Sequence, residues 1–136
     1  MGKINAGRVF LGGILAGILV NVSEFILNEK VMKSAWEEAM KGKQVQMGSM
    51  AVWVVWGFVY GILCVWLYAA IRPRFGAGAG TAAIAGFMAW LFATLLSTVG
   101  MMNMGMFPQR LLAIGAIWAL PESILATILG AWIYKE

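Results

Sequence analysis

Four long apolar runs take up most of this chain and leave it little choice of fold. Met50–Ile71 and Phe75–Gln109 carry no charged residue, Val9–Asn28 carries only Glu24, and Leu111–Tyr134 only Glu122. A helix needs roughly 20 apolar residues to cross a bilayer, more than a buried helix of a water-soluble protein usually holds in one run. Hydrocarbon offers the backbone no hydrogen bonds, so each run must satisfy its own as a helix. A membrane barrel would show polar and apolar residues alternating with period two, and these runs do not. The sequence therefore predicts an all-α polytopic membrane protein. One four-helix transmembrane domain fills residues 1–136, with spans at roughly 7–28, 50–71, 79–102 and 108–134.

The connections carry the remaining signals. Lys3 and Arg8 followed by Val9–Val20 look like the start of a signal peptide, but Asn21-Val22-Ser23-Glu24 follows where a small-residue cleavage site would be. A retained first span is expected. In residues 29–41, Met32, Ala35, Trp36, Ala39 and Met40 recur at helical spacing, while Glu29, Lys33, Glu37 and Lys41 step by four with alternating sign. This pattern predicts a short amphipathic helix on the membrane surface, with Trp36 at the interface. Pro73, between Arg72 and Arg74, is expected to end the second span, because proline cannot donate the next helical hydrogen bond. Lysine and arginine then divide five and five: Lys3, Arg8, Arg72, Arg74 and Lys135 on the side of the termini, Lys30, Lys33, Lys41, Lys43 and Arg110 on the other. The first set flanks shorter connections, where positive charge acts most strongly on topology, so cytoplasmic termini are expected.

Composition excludes several function classes. The chain has no histidine and one cysteine, Cys64, inside an apolar run. That removes imidazole metal and haem ligation, the commonest general base and any internal disulfide. No basic cluster or fold motif points to nucleic acid, and no cofactor motif is present. Methionine offers the only metal-ligand character. Met101, Met102, Met104 and Met106 could hold Cu(I) as thioethers, but an adaptable apolar cap or partner surface is the favoured reading and no metal site is expected. Met32, Met40, Met47 and Met50 belong to the same side of the membrane.

Two sets of residues remain as candidates for function. Glu24 and Glu122 are ionisable groups inside spans, where a charge is costly and usually has a purpose. Asn21 and Ser23 accompany Glu24, and Ser97 and Thr98 lie toward the same side on the third span. Glu24 is expected about one turn from the end of its span, in an ion pair with Arg110. Glu122, just after Pro121, is expected near mid-membrane at a helix kink. Gly13 and Gly17, with Gly57 and Gly61, form two Gly-x-x-x-Gly motifs suited to close contact between the first two spans or to a dimer. Trp56, Tyr60, Trp90 and Trp118 are the deeper aromatics. They suit either core packing or the lining of a cavity.

Some segments resemble a known group. Arg8-Val9-Phe10-Leu11-Gly12-Gly13, Asn21-Val22-Ser23-Glu24-Phe25, Trp66–Gly76 and Arg110-Leu111-Leu112-Ala113-Ile114-Gly115 are similar to segments of small, uncharacterised bacterial four-span membrane proteins. The resemblance implies a bacterial inner-membrane protein and brings no activity with it. A looser similarity joins Glu24 to the first-span glutamate of small multidrug resistance transporters, but Glu24 lies later in its span and no second motif matches. The expected function is that of a non-catalytic accessory or scaffold subunit, packed in the bilayer against other subunits or itself. The alternative is a small proton-coupled transporter or channel using Glu122 and Glu24.

Overall fold

The structure, a computed structural model, describes residues 3–42 and 48–135. Lys43 and Met47 lie outside the described residues. Among the described residues, five helices follow one another. Helix α1 is Ala6–Val31, α2 is Lys33–Met40, α3 is Met50–Phe75, α4 is Ala79–Met104 and α5 is Gln109–Trp132. All but α2 are long and apolar enough to cross a membrane. Asn5 caps α1, its side chain accepting from the Arg8 amide at 3.2 Å. This satisfies a backbone donor that the helix itself cannot.

Helix α1 closes with a wide π turn, Leu27–Val31, and the chain breaks at Met32. The amphipathic segment is therefore split. Glu29 to Val31 prolong the first span, and only Lys33–Met40 forms the separate helix. Of the charge ladder, Glu29 and Lys33 pair at 3.6 Å. Trp36 packs against the bundle. It meets Phe107 edge-on and packs with Leu27, Met32 and Leu111, folding α2 onto the ends of α1 and α5.

Pro73 does not end α3. The helix runs on to Phe75 and stops at Gly76, whose positive φ of 90° reverses the chain while its amide still reaches the Arg72 carbonyl at 2.8 Å. A proline removes one donor from a helix, and a single lost bond near a C-terminus is tolerated. Helix α5 likewise continues without interruption through Pro121.

Helices α3 and α5 form the short diagonal of the bundle, and both pack on α1 and on α4, which scarcely touch each other. The centre is built of small residues: Ala16, Cys64, Ala69, Ala82, Ala85, Ser123, Ala126 and Thr127 are fully buried. In lipid there is no hydrophobic drive to bring helices together, so close backbone packing has to supply the association. The contact of α1 with α3 shows how close. A Cβ on Gly61 would lie 2.5 Å from the Gly17 nitrogen. On the other side of α1, a Cβ on Gly12 would lie 2.5 Å from the Gly130 carbonyl oxygen of α5.

One end of the bundle is closed by tyrosines. Tyr134 Oη accepts from the Asn5 amide at 3.0 Å, and its ring meets Tyr68 edge-on at 5.9 Å. Tyr68 Oη in turn accepts from the Gly78 amide at 3.3 Å. The start of α1, the α3–α4 turn and the end of α5 thus share one end, and α2 lies at the other. Toward the α2 end α4 separates from the core. Neither its wide turn, Leu91–Leu95, nor Leu96–Met104 contains a buried residue.

Candidate functional site

Polar side chains meet at mid-bundle on the seam between α1 and α5. Glu122 lies about 20 Å along α5 from its start, at 1.5 Å per residue. It is only 6% exposed, and its Oε1 has no hydrogen-bond partner. Across the seam, Ser23 and Glu24 of α1 are both within hydrogen-bonding reach of its carboxyl. Ser23 Oγ accepts from Trp118 Nε1 at 2.8 Å. The indole occupies an acceptor lone pair, which leaves the serine O–H free to donate to Glu122. Glu24 Oε2 accepts from Asn28 Nδ2 at 3.2 Å, and the same amide group donates to the Glu24 carbonyl at 2.9 Å.

This corrects the expected partner of Glu24. Among the described residues, neither Glu24 nor Glu122 forms an ion pair. Arg110 is exposed and lines a separate groove between α2 and α5 with Glu38. Depth gives the physical reason. Because α1 runs on to Val31, Glu24 is about 10 Å inside its span, two turns rather than one. Arg110, in the first turn of α5, is about 18 Å from Glu122 along the axis. Glu24 meets the middle of α5 and not its start.

A second polar set crosses the centre behind Glu122. Tyr60 Oη of α3 and Ser123 Oγ lie 2.7 Å apart, and Thr127 Oγ1 donates to the Ser123 carbonyl at 2.7 Å. Cys64 is in contact with Tyr60 and Thr127. Tyr60 and Cys64 are both within electrostatic reach of Glu122. Helix α4 contributes no titratable side chain at all. It holds its place instead through Trp90, whose Nε1 donates to the Ala116 carbonyl at 2.8 Å.

The other candidate residues are spread out. Asn21 faces α3, donating to the Val54 carbonyl at 3.2 Å and packing on Gly57. Gly13, Gly17 and Gly61 line the same α1–α3 contact. Ser97 bonds the Ala93 carbonyl of its own helix and takes no part in the seam. Trp56 is exposed on the outside of α3 and does not pack in the core. Met101, Met104 and Met106 are exposed on the α2 side, with Met102 partly covered. Three glycines of equal closeness were missed in the sequence: Gly12 and Gly130 between α1 and α5, and Gly86, where a Cβ would lie 2.7 Å from the Ser123 carbonyl. Their signal was available as small residues four apart, Gly12 with Ala16, Ala82 with Gly86, and Ala126 with Gly130.

Chemically, the seam brings two carboxyls together with no basic group between them. Two acceptors in hydrogen-bonding reach repel unless a proton or a cation lies between them. With one shared proton the pair keeps a single negative charge, which a second proton or one monovalent cation can neutralise. A cavity of about 240 Å³ adjoins Glu122, lined also by Leu19, Ser23, Trp118, Pro121 and Leu125. Comparison with protein-family models, with curated proteins and with solved structures found no match.

Proposed function

We propose that this chain is a small multi-pass carrier that binds and releases protons at the Glu24–Glu122 pair in exchange for a monovalent cation. One observation carries the reading: two carboxyls from different helices face each other at mid-bundle without a basic partner. A structural glutamate in a span is expected to be satisfied by a neighbour. Here one oxygen of Glu122 has none and the residue borders a cavity. Intramembrane carboxyls of this kind mark proton and ion pathways. The membrane would be a bacterial inner membrane, with the tyrosine-closed end and both termini in the cytoplasm.

The test is flux in proteoliposomes under an imposed pH gradient. Wild type is expected to exchange protons for a monovalent cation, and Glu122→Gln to fold normally and to lose that exchange. Equal exchange by wild type and Glu122→Gln would remove the pair from the mechanism.

The exposed half of α4 supports a second reading, that of an accessory subunit or homo-oligomer. Phe92, Leu96 and Val99 are exposed where α4 has left the core. A membrane partner on that face would leave the carboxyl pair as internal packing. Mild-detergent purification tests it, through co-purifying chains or a defined oligomer that Leu96→Trp disrupts.

A further inference from the structure

The cavity beside Glu122 opens sideways. Pro121 and Leu125 line it and are themselves exposed, and on α1 Ile18 and Val22, next in sequence to the lining residues Leu19 and Ser23, are exposed as well. Its mouth is therefore on the outer surface of the bundle, at the depth of a bilayer's hydrocarbon, and not at either end. A ligand reaching Glu122 by this route has to be soluble in lipid.

The lining narrows the chemistry further. Among the lining side chains only Glu122 and Ser23 offer oxygen atoms, and the remaining walls are Leu19, Trp118, Pro121 and Leu125. A bare hard metal cation requires six or more oxygen ligands to replace its water, which this cavity does not supply. A quaternary ammonium ion requires none. Its charge is spread over alkyl groups that pack against leucine, and it is recognised by an aromatic ring and a negative charge. Trp118 and the carboxyl pair are those two groups. The size, about 240 Å³, is below the roughly 300–1,000 Å³ of sites for drug-sized ligands. A single ring or a short chain fits that space.

We infer that the α1–α5 cavity is a binding site for a small lipophilic organic monocation, entered from the bilayer, in which Glu122 provides the counter-charge and Trp118 the aromatic wall. The inference rests on the carrier reading and names its cation. Binding displaces the second of the two protons that neutralise the carboxyl pair and leaves the shared one in place, so one proton leaves for each cation bound. The groups that face this exchange are Glu24 and Ser23 from α1 and Tyr60 and Cys64 from α3; α4 adds none.

The experiment uses the full chain in lipid nanodiscs, with benzyltrimethylammonium as the probe. Binding is followed by calorimetry and the released proton by a pH-sensitive dye. Carboxyl protonation is followed independently by infrared difference spectroscopy between acid and alkaline pH. Saturable binding with about one proton released per cation is expected, weakening about tenfold per pH unit on the acid side. Leu125→Trp fills the cavity from an exposed position and is expected to abolish cation binding while the carboxyl pair still gives its acid–alkaline difference signal. Leu19→Trp is expected to do the same from the α1 wall. Three results overturn the inference while the carrier reading stands: a titrating pair with no probe binding, equal binding by both tryptophan variants, or equal binding of the neutral isostere neopentylbenzene. Effective competition by sodium ions overturns it as well. A carboxyl signal unchanged by Glu122→Gln removes the carrier reading itself.

Discussion

At Glu24, one helical turn decides which charge it meets. Placed one turn from the end of its span, it would face the first turn of α5 and Arg110. Placed two turns inside, it faces Ser23's neighbour across the seam, Glu122. Arg110→Ala is accordingly expected to change stability by no more than about 0.5 kcal/mol, as for an exposed side chain without a partner. A cycle combining it with Glu24→Gln is expected to show no coupling, measured by unfolding in mixed micelles. The Glu24→Gln and Glu122→Gln pair is expected to couple, because either amide can donate to the remaining carboxyl and relieve the opposition of two acceptors. Additive effects there would mean that the two carboxyls do not interact. Both glutamates were legible in the sequence as isolated charges within apolar runs. That they face each other was not, because it depends on how α1 packs against α5, through close approaches such as Gly12 on Gly130, and an apolar run does not specify which faces meet.

Between helices, the fit is set by glycines whose partners are backbone atoms. Gly61→Ala has to separate α1 from α3, and Gly12→Ala has to separate α1 from α5, since the atoms that a Cβ meets cannot rotate away. Each is expected to cost about 1–3 kcal/mol, the usual range for overpacking. Gly100→Ala and Gly115→Ala provide the contrast. Nothing lies within 4 Å of a Cβ at either site, so they are expected to be neutral or to stabilise by up to about 1 kcal/mol through helix propensity. Thermal unfolding of all four variants checks the ranking, and equal losses at all four sites would mean that the close approaches are unimportant. The Gly-x-x-x-Gly motifs of α1 and α3 were readable because both positions are glycine. Gly86 and Gly130 gave the weaker form of the same signal, with alanine one turn earlier, which many apolar runs share by chance. Pro73 misled in the opposite direction, being read as the end of its span, while Pro121 was expected inside its helix and lies there. Each costs one backbone bond, and neither ends its helix.

For the whole molecule, the even number of crossings is what the apolar runs fixed most firmly, since length and hydrophobicity alone determine it. The order of packing was beyond such runs. They say that four helices cross, and not that α4 leaves the core below Trp90 or that α2 folds onto α1 and α5. The crossing number has a direct consequence. Asn5 bonds Tyr134, so the two ends of the chain share a face, while α2 is one full crossing of α1 away. Single cysteines at Lys3, Lys135, Lys33 and Glu37 test this in sealed vesicles with a membrane-impermeant thiol reagent. Cys64 is fully buried and is replaced by alanine to remove any background. Lys3→Cys and Lys135→Cys are expected to react from one side only, and Lys33→Cys and Glu37→Cys from the other. A shared side for Lys3 and Lys33 would mean that α1 does not cross, and the carboxyl pair would then lie at a membrane surface where water, not lipid, reaches the α1–α5 cavity.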